Sequence, residues 1–94
     1  MALLDDAAIA GFLASHPGWE MDGGELMKTF VSNDFGTAIA FVNQVAELSE
    51  GANHHPDIAI SWNRVTLRLS THSEGGLTGR DIALAGQIDE LRAG

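Results

Sequence analysis

The run DIAISWNRVTLRLSTH, residues 57–72, alternates apolar and polar side chains in two short series separated by an asparagine and an arginine. Ile58, Ile60 and Trp62 share one parity and Val65, Leu67 and Leu69 the other, the period-two pattern of half-buried strands. A turn centred on Asn63 and Arg64 pairs Trp62 with Val65, Ile60 with Leu67 and Ile58 with Leu69, and puts all six on one face. A one-residue slip would send one apolar set to solvent, so parity is strongly constrained. Continued outward, the same register sets His55 opposite His72, where facing Cβ atoms lie about 4.5–5.5 Å apart. Three of the chain's 4 histidines, His54, His55 and His72, are thereby expected at one end of this hairpin.

The other elements follow from period and punctuation. Ile9, Phe12 and Leu13 recur at helical spacing from Asp5 to Ala14, behind an aspartate that can cap, and Pro17 and Gly18 stop that helix. Trp19–Met21 and Glu25–Val31 flank Asp22-Gly23-Gly24, which supplies the positive-φ residues of a tight hairpin. Asp34 can cap a long helix whose apolar stripe is Phe35, Ala38, Ile39, Val42, Val45 and Ala46, with Gly51 ending it. Thr78 can cap a last helix carrying Ile82, Ala85, Ile88 and Leu91 on one side, and Asp81 three residues on completes a shortened capping box. The order α-β-β-α-β-β-α predicts an α+β fold, a two-layer sandwich of a four-stranded antiparallel sheet with three helices on one face.

A chain of 94 residues with 45% hydrophobic content suits one domain, here residues 1–94. Domains this short bury a modest fraction of their surface, so self-association is expected to help. With 0 cysteines, a disulfide framework, a thiolate metal site and a cysteine nucleophile are excluded. The N-terminal residues carry Asp5 and Asp6 where a signal peptide needs an apolar run, and no stretch is long and apolar enough to span a bilayer; a cytoplasmic protein without membrane attachment is expected. A net charge of −8 with only 5 Lys plus Arg leaves no basic patch for phosphates, so nucleic acid is not an expected partner.

Several spaced elements then resemble one family. Glu50, three residues, His54-His55-Pro56, then Trp62, then Thr71-His72, then GGLTGRD ending at Asp81, are similar to the signature of the pterin-4a-carbinolamine dehydratases. The resemblance runs from Gly18-Trp19 to Ile88. It implies an α+β fold, a homodimer or homotetramer, and a reaction that needs no metal and no bound cofactor. That reaction is loss of water from a 4a-hydroxytetrahydropterin to give the quinonoid dihydropterin, which recycles the pterin of aromatic amino acid hydroxylases. It also implies that His54, His55 and His72 are the active-site histidines. Asn53, Ser70, Thr71 and Ser73 fall at positions flanking the family's pterin pocket, and Arg80 and Asp81 match its Arg-Asp pair at the start of the final helix. Asn53 is a departure, since many members carry aspartate there; it offers a hydrogen bond without charge.

Histidine suits this chemistry. Dehydration needs a proton for the departing C4a hydroxyl and a base for the N5 proton near neutral pH, where an unperturbed imidazole, with a pKa of about 6.5, has both forms available. On this reading His54 and His72 transfer protons and His55 places the pterin. Each residue also has a plainer role: Asp81 as a helix cap, Arg80 as a solvated helix residue, Trp19 and Trp62 as packing, His16 as a loop residue. Two other functional classes compete. Three imidazoles can make a zinc centre, although adjacent strand residues point to opposite faces, which makes shared ligation by His54 and His55 awkward. A non-enzymatic interaction module is the other, because the resemblance implies that some members bind and stabilise transcription-factor dimers.

Overall fold

The computed structural model describes residues 2–93. Asp5 caps α1 (Asp6–Ser15) by accepting from the Ala8 amide, and Asp34 caps α2 (Phe35–Ala52) by accepting from the Thr37 amide at 2.7 Å. Both aspartates satisfy amides that the first helical turn leaves without partners. Between these helices, β1 (Glu20–Asp22) and β2 (Glu25–Val31) form a hairpin whose two-residue turn is Gly23-Gly24, at φ 60° and 81°. Positive φ at both positions is what a twisted two-residue hairpin demands, and glycine adopts it without steric cost. After α2 come β3 (Asp57–Ser61) and β4 (Arg64–Leu69), then a single 3-10 turn (His72–Glu74), then α3 (Gly79–Ala93). The element order is the α-β-β-α-β-β-α expected, and all strand pairings are antiparallel in the order β1-β2-β4-β3.

The two central strands carry the core. Leu26 and Phe30 of β2 and Val65, Leu67 and Leu69 of β4 are buried, against Phe12 of α1, Ala38, Phe41 and Val45 of α2, and Leu84, Ala85 and Ile88 of α3. Burying each large aliphatic side chain contributes about 1.5–3 kcal/mol. Trp19 joins this core, its Nε1–H donating to both carboxylate oxygens of Asp89 at 3.1 Å. Lys28 reaches the same carboxylate at 2.8 Å and lies 4.7 Å from the Phe30 ring centre. One carboxylate thus ties the segment after α1 to β2 and α3.

The β3–β4 register departs from the sequence expectation. Ile58 faces Leu67, Ile60 faces Val65 and Ser61 faces Arg64, a shift of two residues that keeps the parity and moves the turn to Trp62-Asn63. The cause lies in the neighbouring loop. Asn63 donates its side-chain amide to the Ser32 carbonyl at 2.9 Å and accepts the Ser32 amide on its own carbonyl at 2.8 Å. Arg64 is drawn into β4 opposite Val31. Trp62 is left in the turn at φ 52°, 68% exposed, so five of the six apolar residues, not all six, share the core-side face.

Candidate active site

Three histidines come from two chain segments at one end of the β3–β4 hairpin, and the shifted register changes how they meet. The ladder stops at Asp57 opposite Arg68, and its continuation would set His55 against Ser70 rather than His72. His72 lies in the 3-10 turn, beyond the strand. Each imidazole faces its own carboxylate: His54 Nε2 lies 2.6 Å from Asp81 Oδ1, His55 Nε2 2.5 Å from Glu50 Oε2, and His72 Nε2 3.8 Å from Glu25 Oε2. The adjacent His54 and His55 diverge, one buried and one exposed. Among the described residues no three His, Asp or Glu side chains converge in an arrangement able to hold a metal ion.

His54 is positioned by how α2 ends. Asn53 takes the left-handed conformation at φ 50°, and its amide and that of His54 turn back to the carbonyls of the last helical turn, Glu50 and Ser49. Asparagine tolerates this conformation better than most side chains, which supplies a structural reason for Asn53 independent of charge. Arg80 clamps the same point, donating to the Asn53 carbonyl at 2.9 Å. The chain then directs His54 inward.

There it meets Asp81, which is fully buried. Asp81 Oδ2 accepts from the Thr78 amide at 2.9 Å, the reciprocal half of the expected capping box, while Thr78 Oγ1 accepts from the Arg80 amide. Oδ2 also accepts from Thr71 Oγ1 at 2.7 Å, and Thr71 and Thr78 hydroxyls lie 2.8 Å apart. The cap and the histidine partner are therefore one carboxylate. Oriented by these two donors, Asp81 accepts from Nε2–H of His54 and leaves Nδ1 as the free edge of the ring. Among the described residues no fully buried side-chain nitrogen or oxygen lacks a partner, so Nδ1, which the protein does not engage, is the edge that reaches the surface.

His72 borders a cavity of about 490 Å³ between the β1–β2 turn (Gly23, Gly24), the start of β3, and the segment after β4 (Gly75, Gly76). Glu25, Asp57 and Ser70 share its wall, whereas His54 and His55 do not. The expected residues therefore divide: Thr71 and Asp81 gather at His54, Ser70 at His72, Asn53 and Arg80 at the α2 end, and Ser73 lies exposed beside His72. Glu25 was invisible to sequence reasoning. It sits 47 positions from His72 (72 − 25) in an ordinary strand pattern, and only the β2–β4 pairing brings it there.

The arrangement defines a class: a small α+β protein presenting a buried His–Asp pair and a polar cavity at one end of an antiparallel sheet. Comparison with known proteins makes it specific. The family model "Pterin 4 alpha carbinolamine dehydratase" matches residues 2–91, and the chain belongs to that family. A Thermomicrobium roseum protein, provisionally named pterin-4-alpha-carbinolamine dehydratase, is 58% identical over 91 residues, covering 97% of this chain and 98% of the relative. A Roseiflexus castenholzii protein with the same provisional name is 57% identical over 90 residues, covering 96% and 97%. Among solved structures, a transcriptional coactivator/pterin dehydratase from Brucella melitensis superposes with a TM-score of 0.90 at 34% identity, over 96% of this chain and 98% of that one. A pterin dehydratase-like protein identified as a RuBisCO assembly factor in the alpha-carboxysome is similar with a TM-score of 0.70 at 27% identity, covering 83% and 93%.

Proposed function

We propose that this protein removes water from 4a-hydroxytetrahydropterin to give the quinonoid dihydropterin, in pterin recycling, by histidine general acid–base catalysis. The observation that carries the reading is the buried His54–Asp81 pair, a tautomer-locked imidazole with one free nitrogen. Dehydration breaks the C4a–O bond, so one group must protonate the leaving hydroxyl while another takes the N5 proton. In this reading His54 Nδ1 and His72 divide those two transfers. His55, exposed and held by Glu50, places the ring, and Asn53, Ser70, Thr71, Ser73, Arg80 and Asp81 surround or support the bound pterin. The proposed setting is a cytoplasmic homodimer or homotetramer with no metal and no cofactor.

Stopped-flow measurement of 4a-hydroxytetrahydropterin decay, corrected for spontaneous dehydration, tests this. His54→Ala and His72→Ala are expected to lower turnover by about 10²–10⁴-fold, the usual weight of general acid–base assistance. His55→Ala is expected to raise KM more than it lowers kcat, as for a contact made equally in ground and transition states. His16→Ala, on α1's far loop and stacked on Phe12, is the control. Wild-type turnover in both His54→Ala and His72→Ala would overturn the assignment.

A second reading, an interaction module that stabilises a partner protein's dimer, draws on the two solved structures whose descriptions name a coactivator and an assembly factor. The intact His–Asp pair favours the enzyme, and the two roles are compatible.

A further inference from the structure

The cavity beside His72 has an unbalanced set of polar groups. Glu25 is three-quarters buried, yet among the described residues its carboxylate makes no hydrogen bond and only two long ion pairs, with Arg68 Nη1 at 3.6 Å and His72 Nε2 at 3.8 Å. Arg68 is engaged elsewhere, donating to Asp22 at 2.6 Å, and three acids, Asp22, Glu25 and Asp57, surround this one guanidinium. Among the described residues the Ser70 hydroxyl and the Asp57 carboxylate have no side-chain hydrogen bond either. The wall is thus rich in unused acceptors. Its remaining faces are glycine backbone, which lets a flat ring approach closely. A ligand that fits must be planar and bring several donors along one edge.

We infer that Glu25 is a specificity residue of this site, its two carboxylate oxygens accepting from the N3–H and 2-amino group of the pterin ring. That edge of a 2-amino-4-oxopteridine holds two parallel N–H donors, the geometry that makes guanidinium–carboxylate pairs bidentate. A charged acceptor waiting without a hydrogen bond discriminates strongly, because a ring with an oxygen at position 2 sets lone pair against lone pair. The inference rests on the pterin reading above and adds the determinant of ring identity.

Equilibrium binding of pterin and lumazine, the 2-amino and 2-oxo members of one ring system, tests it without reference to turnover. Wild-type protein is expected to prefer pterin by about 10–100-fold, the ratio equivalent to one hydrogen bond to a charged group. Glu25→Gln, of the same shape but carrying an amide donor, is expected to bring that ratio to about one or reverse it. Glu25→Asp, which keeps the charge and withdraws it by one methylene, is expected to weaken both ligands and preserve the order. A Glu25→Gln variant with wild-type melting temperature and an unchanged pterin-to-lumazine ratio would overturn the inference alone. Wild-type protein that binds neither ring and leaves 4a-hydroxytetrahydropterin decay unaccelerated would overturn the reading beneath it as well.

Discussion

Asp81 is where local and distant demands coincide on one side chain. Its spacing from Thr78 made the cap legible in the sequence, because a reciprocal capping box depends only on residues three apart. Its contact with His54, 27 positions away, depends on the fold, and nothing local announces it. Asn53 repeats the lesson: a departure from the family's aspartate has a backbone reason in its φ of 50°. Asp81→Asn separates the two roles of the carboxylate. The amide fills the same space but cannot accept from His54, Thr71 and Thr78 together, and it removes the charge that holds the imidazole tautomer. Turnover is expected to fall by roughly 10–100-fold, the usual penalty for losing a carboxylate that orients a functional histidine. Asp81→Ala should in addition lower the melting temperature, because it leaves buried donors without acceptors at about 1–3 kcal/mol each. An Asp81→Asn protein with unchanged turnover would show that the carboxylate is a cap and nothing more.

At the scale of elements, the helices were readable because their caps and stripes are local, and the first hairpin because Gly23-Gly24 admits few turns. The second hairpin was readable in parity but not in register. Asn63 is a strong turn residue and tryptophan at positive φ a rare one, so the sequence favours a turn at Asn63-Arg64. The tertiary bonds between Asn63 and Ser32 outweigh that preference. Asp34 shows a cap with a pH signature. Hydrogen bonds from the Thr37 amide and hydroxyl hold its pKa below the ordinary aspartate value of about 3.9. A depressed carboxylate pKa contributes stability that is complete above the unfolded value and is lost as pH falls through the folded one. Asp34→Asn retains a capping oxygen without the charge. The gap in melting temperature between the native protein and Asp34→Asn is therefore expected to be largest near neutral pH and to close below about pH 4. A gap independent of pH would mean that the charge of Asp34 contributes nothing.

For the whole molecule, the helix layer stops short of the sheet's edge. Val65 and Leu67 on β4 are fully buried, yet their cross-strand neighbours Ile60 and Ile58, on the same face, are 38% and 39% exposed. The helices cover β4 and leave β3 overhanging. Its outer backbone edge is unpaired in the sheet, and Trp62 extends the apolar strip at its end. Exposed apolar edges of this kind pair with another chain unless charge or proline guards them, and β3 has only Asp57 at its start. A copy of the same chain related by twofold symmetry would continue the sheet and cover both isoleucines. Static light scattering at micromolar concentration is therefore expected to give a multiple of the 9.9 kDa chain mass. Ile60→Lys, placing a charge on the overhang, should move the population toward 9.9 kDa while its circular dichroism stays that of a folded α+β protein. Since Asp57 opens this strand and His55 lies two residues before it, turnover measured alongside tells whether the site needs the second copy. A wild-type protein that scatters as a monomer would leave the overhanging face of β3 without this explanation.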